Sequence, residues 1–270
     1  MTKTQKLFFA CVDSRIQDHG SLYGRFHIGT FFRGQALTFA NALRRTLLSE
    51  IPGVVLTDVV IDGAGHEFAS LPGVEEPVLD ILLNLKNVVF APTNSDLSEL
   101  EVTQPQGLLK CYGPGRVTAA DIKLPSTMKC VNPKTHIATL TNGEEFSLRF
   151  TLSVRSPHES TLNQKKFLNE NLLSQNEVDQ KTLVTSGPKT SFWEESLLLE
   201  PSKAKKLSFD SVPMPVQKVN YVIKSFNAKQ GSEYVVLEVW TDGSICPQEV
   251  VQFGLKKLTQ LFYQFALRSK

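Results

Sequence analysis

The sequence predicts an α+β fold, and three observations support this prediction. Alternating apolar residues typical of strands occur near both ends of the chain, at 5–33 and 215–241. Each stretch is followed by a run with helical spacing, at about 36–51 and 247–267. Between these helices, β-branched runs separated by turn residues extend from about Val102 to Val154 and predict further strands.

The first elements are two strands and a helix. "KLFFACVDSR" is apolar, "DHGSLYG" is typical of a turn, and "RFHIGTFF" alternates apolar with polar residues. The helix extends from about Ala36 to Ile51. Pro52 and Gly53 end it, because proline cannot continue a helix and glycine suits the C-terminal turn.

The middle of the chain alternates ordered and polar stretches. "VVLTDVVIDG", from Val54 to Gly63, predicts a strand, and "EEPVLDILLNLKNVVF", residues 75–90, predicts a helix. The stretch 156–208 is rich in Ser, Asn, Gln, Lys and Glu, which predicts a long polar insertion with one weak helix near Phe167 to Leu173. The composition of this insertion is compatible with a loop that docks a partner and with a surface loop that has no binding role.

The first helix is apolar over an unusually wide arc. With Leu43 at 0° and steps of about 100° per residue, Ala36, Ala40, Leu47 and Phe39 lie within about 60° of it. Leu37 and Leu48 widen the arc to about half the circumference, whereas the apolar stripe of a surface helix covers about 100°. Such a helix is suited to more than one packing partner.

Two adjacent arginines on this helix point in different directions. Arg44 lies inside the apolar arc, which predicts a pair with an acidic group or a carbonyl oxygen. Arg45 lies on the polar face. This position is compatible with a contact to another molecule and with a side chain that is simply solvated.

The last helix has a seam of apolar residues with heptad spacing. It begins near Pro247, a favoured first-turn residue, and its seam residues are four and three positions apart: Val251, Leu255, Leu258, Phe262 and Phe265. Burial within one domain and packing on a second copy of the chain both fit this pattern.

Composition excludes several classes of protein. The 29 basic and 27 acidic residues give a net charge of +2, without the basic excess of a protein that grips nucleic acid. No apolar run of about 18 residues predicts a membrane span, and the N-terminal stretch lacks the features of a signal peptide. The four cysteines form no C-x-x-C pair, so we expect free thiols or small buried side chains and no zinc site.

Sequence signatures of catalysis are missing. We find no P-loop, no G-x-S-x-G, no H-E-x-x-H and no dinucleotide fingerprint, and the five histidines are scattered. The pair His66 and Glu67 places a base beside an acid but lacks a nucleophile. We therefore expect no catalytic residue, no metal and no cofactor, and a role in binding or assembly.

Several blocks in order resemble one family. "NALRRTLLSEIPG" from Asn41, "TDVVIDGAGHEFASLPGVEEPVLDILLNLKNV" from Thr57, "GPGRVTAADIKLP" from Gly113, "VNPKTHIATLT" from Val131 and "LEVWTDGSICPQEVV" from Leu237 are similar to the amino-terminal domain of the alpha subunit of bacterial-type DNA-directed RNA polymerase. "CVDSRIQDHGSLYGRFHIG", near the start of the chain, looks most like the plastid-encoded form. The resemblance implies a plastid location, with the bacterial cytoplasm as the alternative.

The resemblance implies a homodimer that serves as an assembly platform for the beta and beta'-type subunits, and that meets DNA only through the holoenzyme. It implies a dimerisation subdomain, a sheet with two long helices at 1–52 and 210–270, and an inserted strand-rich subdomain at 53–209. The implied dimer contacts lie on the first and last helices: Phe39, Leu43, Leu47, Val251, Leu255, Leu258 and Phe262. The implied contacts with the large subunits are Arg45, Leu48, His66, Glu67 and Lys86.

The sequence also departs from the family pattern. Bacterial members carry a carboxy-terminal DNA-binding domain, and we expect none here, since Lys270 follows soon after the last helix. The insertion at 156–208 is longer than the usual connection, so no contact is carried over there. Two other functions stay open, a stand-alone enzyme or ligand-binding protein and a DNA-binding module.

Overall fold

A computed structural model describes residues 7–17, 20–93, 104–157, 206–208, 211–227 and 232–268. Within these residues three α-helices form: α1 (Gln35–Ser49), α2 (Val78–Lys86) and α3 (Pro247–Arg268). The same residues form thirteen strands: β1 (Phe8–Ile16), β2 (Leu22–Phe32), β3 (Gly53–Ile61), β4 (Phe90–Pro92), β5 (Gln106–Tyr112), β6 (Gly115–Thr118), β7 (Ile122–Lys123), β8 (Met128–Cys130), β9 (His136–Leu140), β10 (Glu145–Arg155), β11 (Leu207–Ser208), β12 (Val216–Asn227) and β13 (Ser232–Thr241). This arrangement confirms the predicted α+β fold.

Sheet A is an antiparallel sheet of four strands in the order β1-β2-β13-β12. Its two central strands come from opposite ends of the described chain, and Phe26 of β2 lies opposite Leu237 of β13. Both side chains are fully buried, because α1 and α3 cover the same face of the sheet. The two terminal stretches of the sequence therefore share one core.

Close contact between α1 and α3 depends on a glycine. Gly254 of α3 is buried, and a Cβ atom there would lie 3.2 Å from Leu43 Cδ1 and still closer to Leu47. Glycine in the middle of a helix lowers helix stability by about 1 kcal/mol relative to alanine. Here it allows the two helices to approach until Leu43 and Leu47 lose all but about 1% of their solvent exposure.

Sheet B is antiparallel and has the strand order β11-β3-β10-β5-β7. Alternate residues of β10 face a second core, in which Phe146, Leu148, Phe150 and Leu152 are buried. The helix α2 contributes its own apolar face to this core, and the two-stranded ribbons β4-β8 and β6-β9 complete it.

Sheet A meets the β4-β8 ribbon at a glycine-lined joint. Val131, in the turn after β8, packs against Gly20 and Gly243 from the turns at one end of sheet A. Gly243 has φ +91°, and a Cβ atom there would overlap the Gly20 carbonyl oxygen and lie 2.9 Å from Val131 Cγ1. A side chain larger than glycine does not fit at this position.

One predicted helix boundary is wrong. The helix predicted to reach Phe90 ends at Lys86, and residues 90–92 form β4. Asn132 explains the change, because its Nδ2 donates to the Asn87 carbonyl oxygen and its Oδ1 accepts from the Val89 amide, both at 2.8 Å. These bonds hold the chain in an extended course that local helix preference alone would not give.

The boundaries of the polar insertion also need correction. Leu207 and Ser208 lie within the predicted stretch 156–208, yet they form β11 and pair with Val59 and Asp58 of β3. The weak helix predicted near Phe167 to Leu173 lies outside the described residues.

Candidate functional site

The buried stripe of α1 is narrower than its sequence predicts. Ala36, Ala40, Leu43, Thr46 and Leu47 are buried against sheet A and α3. These residues span about 120° of the helix circumference, from Thr46 to Ala40. Leu37 and Leu48 are not part of the stripe and are exposed to solvent.

The partner predicted for Arg44 is not found within the described part of the chain. The Arg44 side chain is exposed, and in the described part of the chain no acidic group or carbonyl oxygen bonds to it. The reason is the narrower stripe, whose edge at Ala40 leaves Arg44 outside the core. Arg45 is also exposed, on the outer face, and its carbonyl oxygen accepts a hydrogen bond of 2.8 Å from the Ser49 hydroxyl.

An apolar groove lies on one side of α1, between this helix and α3. Its volume is about 500 Å³, and aromatic and leucine side chains supply most of its walls: Phe31, Phe39, Leu255, Leu258 and Phe262. The Phe31 and Phe39 rings pack with their centroids 4.9 Å apart. Polar side chains reach it only at the rim, from Gln35, Thr38 and Thr259.

The end of α3 extends this apolar surface. Its last two turns expose five large apolar side chains to solvent: Leu261, Phe262, Tyr263, Phe265 and Leu267. A contiguous exposed apolar surface of this kind is typical of a protein interface, because it is costly to leave in water. The groove and the helix end therefore point to a protein partner.

The seven residues predicted at a dimer interface occupy two environments. Leu43, Leu47 and Val251 are at most 1% exposed, so they have no free surface for a second molecule and form the wall behind the groove. Phe39, Leu255 and Leu258 are half-buried, and Phe262 is 64% exposed.

A second exposed surface includes α2 and the loop before it. His66, Glu67 and Phe68 are exposed in this loop, which is joined to the start of α2 by the bond from the Val78 amide to the Ala69 carbonyl oxygen. Lys86 is exposed at the far end of α2.

Three apolar residues of this surface were not singled out from the sequence. Leu79 and Leu83 are exposed and lie on the same side of α2 as Lys86, since the three are spaced by four and three residues. The sequence carried a signal for them, because they fall outside the apolar face of Val78, Ile81, Leu82 and Leu85. Phe68 is 70% exposed.

A hydrogen-bonded carboxylate holds the segment before α2 on β9. Glu76 accepts a bond of 2.7 Å from the Thr139 amide and one of 2.9 Å from the Thr139 hydroxyl, and its Oε1 lies 2.8 Å from His136 Nε2. Burial alone would raise the pKa of Glu76, but the bonds from Thr139 and His136 outweigh it and leave the pKa below its ordinary value. These bonds fix the segment that leads into α2.

A buried carboxylate precedes α3. Asp242 accepts bonds from the Ser244 amide, at 2.9 Å, and from the Ser244 hydroxyl. Burial raises the pKa of Asp242, and these bonds only partly oppose the effect. Asp242 and Ser244 border a groove between the sheets, and Lys86 also lines it.

Exposed surfaces are the main candidate sites among the described residues. Nowhere in the described ranges do three His, Cys, Asp or Glu side chains converge on a metal position. No helix among them has the length and apolar character needed to cross a membrane. The four cysteines are free thiols. What the geometry presents instead is two exposed surfaces that combine apolar side chains with cations.

Comparison with known proteins points to one family. The chain is 54% identical over 275 residues to the DNA-directed RNA polymerase subunit alpha of Chlorella vulgaris, an alignment covering all of this chain and 99% of that protein. It is 37% identical to the subunit of the same name from Synechococcus sp. (strain JA-2-3B'a(2-13)), and 32% identical to the one from Mesostigma viride. These two alignments cover 93% of this chain, but 64% and 67% of those proteins.

A family model agrees with these relatives. The model described as the RNA polymerase Rpb3/RpoA insert domain matches residues 59–175. Within the described residues, this range begins in β3 and includes α2, β10 and the strands between them.

Proposed function

The chain belongs to the family of DNA-directed RNA polymerase alpha subunits, and we propose that it acts as a homodimeric platform for the beta and beta'-type subunits. The observation that carries this proposal is the 54% identity to a relative of that name along nearly the whole of both chains. The exposed apolar surfaces of α1, α2 and α3 support it, because an assembly platform must offer surfaces to several chains.

The proposal divides the chain into two subdomains. Sheet A with α1 and α3 forms the dimerisation subdomain, made of residues 1–52 and 210–270. The inserted subdomain, residues 53–209, contains sheet B and α2. Nucleotidyl transfer and contact with DNA belong to the holoenzyme, and this chain contributes binding surfaces.

The groove and the end of α3 are the proposed dimer interface. In a two-fold dimer each copy presents the same patch, so the end of α3 from one copy enters the groove of the other. Phe39, Leu255, Leu258 and Phe262 supply the direct contacts, while the buried Leu43, Leu47 and Val251 hold the helices that carry them.

Replacing one exposed phenylalanine tests the dimer. A Phe262→Glu variant places a carboxylate in the apolar contact, and we expect it to be monomeric at concentrations where the wild type is dimeric. Phe68→Glu is the matched control, because Phe68 is similarly exposed but lies in the loop before α2. Light scattering measures the oligomeric state of both variants. A folded Phe262→Glu protein that is still dimeric would contradict this interface.

Two surfaces are proposed for the large subunits. Arg45 and Leu48 lie on the first, on α1, and the second combines His66 and Glu67 with Lys86. Because a dimer carries two copies of each surface and meets two different large subunits, its symmetry breaks on assembly.

Co-purification from the native source tests the function. A tag on this chain should retain two large polymerase subunits and two copies of the chain, as measured by mass spectrometry. We expect Arg45→Ala to weaken retention by about 2 kcal/mol or more if Arg45 is an interface anchor. Lys123→Ala is the control, since Lys123 is exposed on β7, opposite the exposed Leu108 and on the face of sheet B that does not carry α2. A homodimer without large partners would reject the assembly role.

We place the chain in a plastid. The support is the resemblance to the plastid-encoded form and the identity of its relatives, which include proteins of Chlorella vulgaris and Mesostigma viride. Isolated plastids supplied with labelled amino acids should synthesise this chain without protein import. Plastids that produce no labelled chain would refute this location.

A further inference from the structure

We propose that Leu37, Arg44 and Leu48 form a contact strip for a large polymerase subunit, and that Arg44 pairs there with a carboxylate held among apolar side chains. This inference rests on the proposed assembly function and specifies the chemistry of the partner. It adds Leu37 and Arg44 to the surface and assigns Arg44 the central contact.

The geometry of α1 brings these three residues together. Relative to Leu43, Arg44, Leu37 and Leu48 lie at about 100°, 120° and 140° around the helix axis, so they form one row. Leu37 is 49% exposed and Leu48 is 40% exposed. Arg44 stands between them along the row, one helical turn before Leu48, with the methylene stem of its side chain available for apolar packing.

Among the described residues, no acidic group forms an ion pair with this row. Helix α1 contains no acidic residue, and Arg45 adds a second exposed cation next to Arg44. The next acid along the chain, Glu50, lies about 120° away from Arg44 around the helix. Arg44 makes no ion pair with any residue in the described ranges. An arginine between two leucines is suited to a carboxylate, which its guanidinium can bind through two hydrogen bonds.

The row and the proposed dimer groove lie on different sides of α1. The groove is lined by Thr38, Phe39 and Ala42 of this helix and opens toward α3. On the side of the row, Asn41 accepts a hydrogen bond of 2.6 Å from the Tyr221 hydroxyl, which directs that side toward β12. A second copy in the groove therefore leaves Leu37, Arg44 and Leu48 free for another partner.

Charge reversal at Arg44 is the direct test. The full chain carrying Arg44→Glu, co-produced with the large subunits, should retain at least about tenfold less of them than the wild type. Arg44→Lys keeps the positive charge but loses the bidentate geometry. It should retain an amount of the large subunits between those retained by the wild type and by Arg44→Glu. Lys123→Glu makes the same charge change on β7, away from the strip and from the α2 surface, and should behave like the wild type.

Each outcome decides the inference. Arg44→Glu that stays dimeric by light scattering and loses the large subunits supports it. If Arg44→Glu retains the large subunits as well as Lys123→Glu does, the strip is overturned, while the assembly function stands. A monomeric Arg44→Glu protein also overturns it, because the strip would then belong to the contact with the second copy. A wild-type chain that retains no large subunit rejects both the function and the strip.

Discussion

A single methyl group at Gly243 should destabilise the protein through the joint between sheet A and the β4-β8 ribbon. In Gly243→Ala, two effects add. The backbone has φ +91°, a conformation that costs an L-residue about 1–2 kcal/mol. The new Cβ would also overlap the Gly20 carbonyl oxygen and crowd Val131, and overpacking of this kind costs about 1–3 kcal/mol. We expect a total loss of about 2–5 kcal/mol in the free energy of unfolding.

Gly63→Ala separates these two effects. Gly63 has φ +85°, but the nearest atom to its added Cβ is Leu71 Cδ2 at 3.5 Å, an ordinary van der Waals contact. This control therefore carries the backbone cost alone, about 1–2 kcal/mol. Urea unfolding at one fixed protein concentration measures both variants, because association would otherwise shift the apparent stability.

The difference between the variants is the informative quantity. If Gly243→Ala loses no more stability than Gly63→Ala, the contact with Gly20 and Val131 is not closely packed, and the joint as described is wrong. A second variant, Val131→Ala, removes the side chain that the two glycines accommodate. Combined with Gly243→Ala it should recover part of the loss, because the crowded Cγ1 atom is gone.

Three further predictions concern single side chains. Glu76→Ala should lower the free energy of unfolding by about 1–3 kcal/mol near pH 7, because it leaves the Thr139 amide without its acceptor. The pKa of Glu76 is below its ordinary value in the folded protein. The stabilisation from Glu76 is therefore complete above the unfolded-state pKa, and it is lost as pH falls through the lower folded-state pKa. Unfolding curves at several pH values would show the difference in free energy of unfolding between the wild type and Glu76→Ala decreasing as pH falls. Leu43→Ala should cost about 2–5 kcal/mol, because Leu43 is fully buried. Leu37→Ala, on the same helix but exposed, should change thermal stability by no more than about 0.5 kcal/mol.

The sequence predicted the existence of the long helices and strands better than it predicted where elements end and which side chains are buried. The helices α1 and α3 and the terminal strands carry strong periodicity, so their existence followed from the residues alone. The end of α2 did not, because Asn132, more than forty positions further along the chain, decides it through two hydrogen bonds. Local preference has no information about such a distant partner.

The surface of α1 shows the same limit. Its apolar arc combines two kinds of residue, those packed on sheet A and those left in solvent, and a helical wheel cannot distinguish them. Leu43 and Leu37 look alike in the sequence, yet one is fully buried and the other half exposed. Their separation depends on where α3 and β12 lie, which is a property of the complete fold. The resemblance to a known family supplied the interface residues, and pattern alone left their roles open.

The pairing of β2 with β13 sets an order of events during synthesis. Leu22 lies opposite Thr241, so sheet A cannot close until the chain between them has left the ribosome. The strands β3, β5, β7 and β10 of sheet B all lie between Gly53 and Arg155, and they can assemble first. Until then Phe26, Leu43 and Leu47 lack the part of their core that β12, β13 and α3 supply. The groove proposed for the second copy exists only once α3 has been made, so association through it must follow the synthesis of α3.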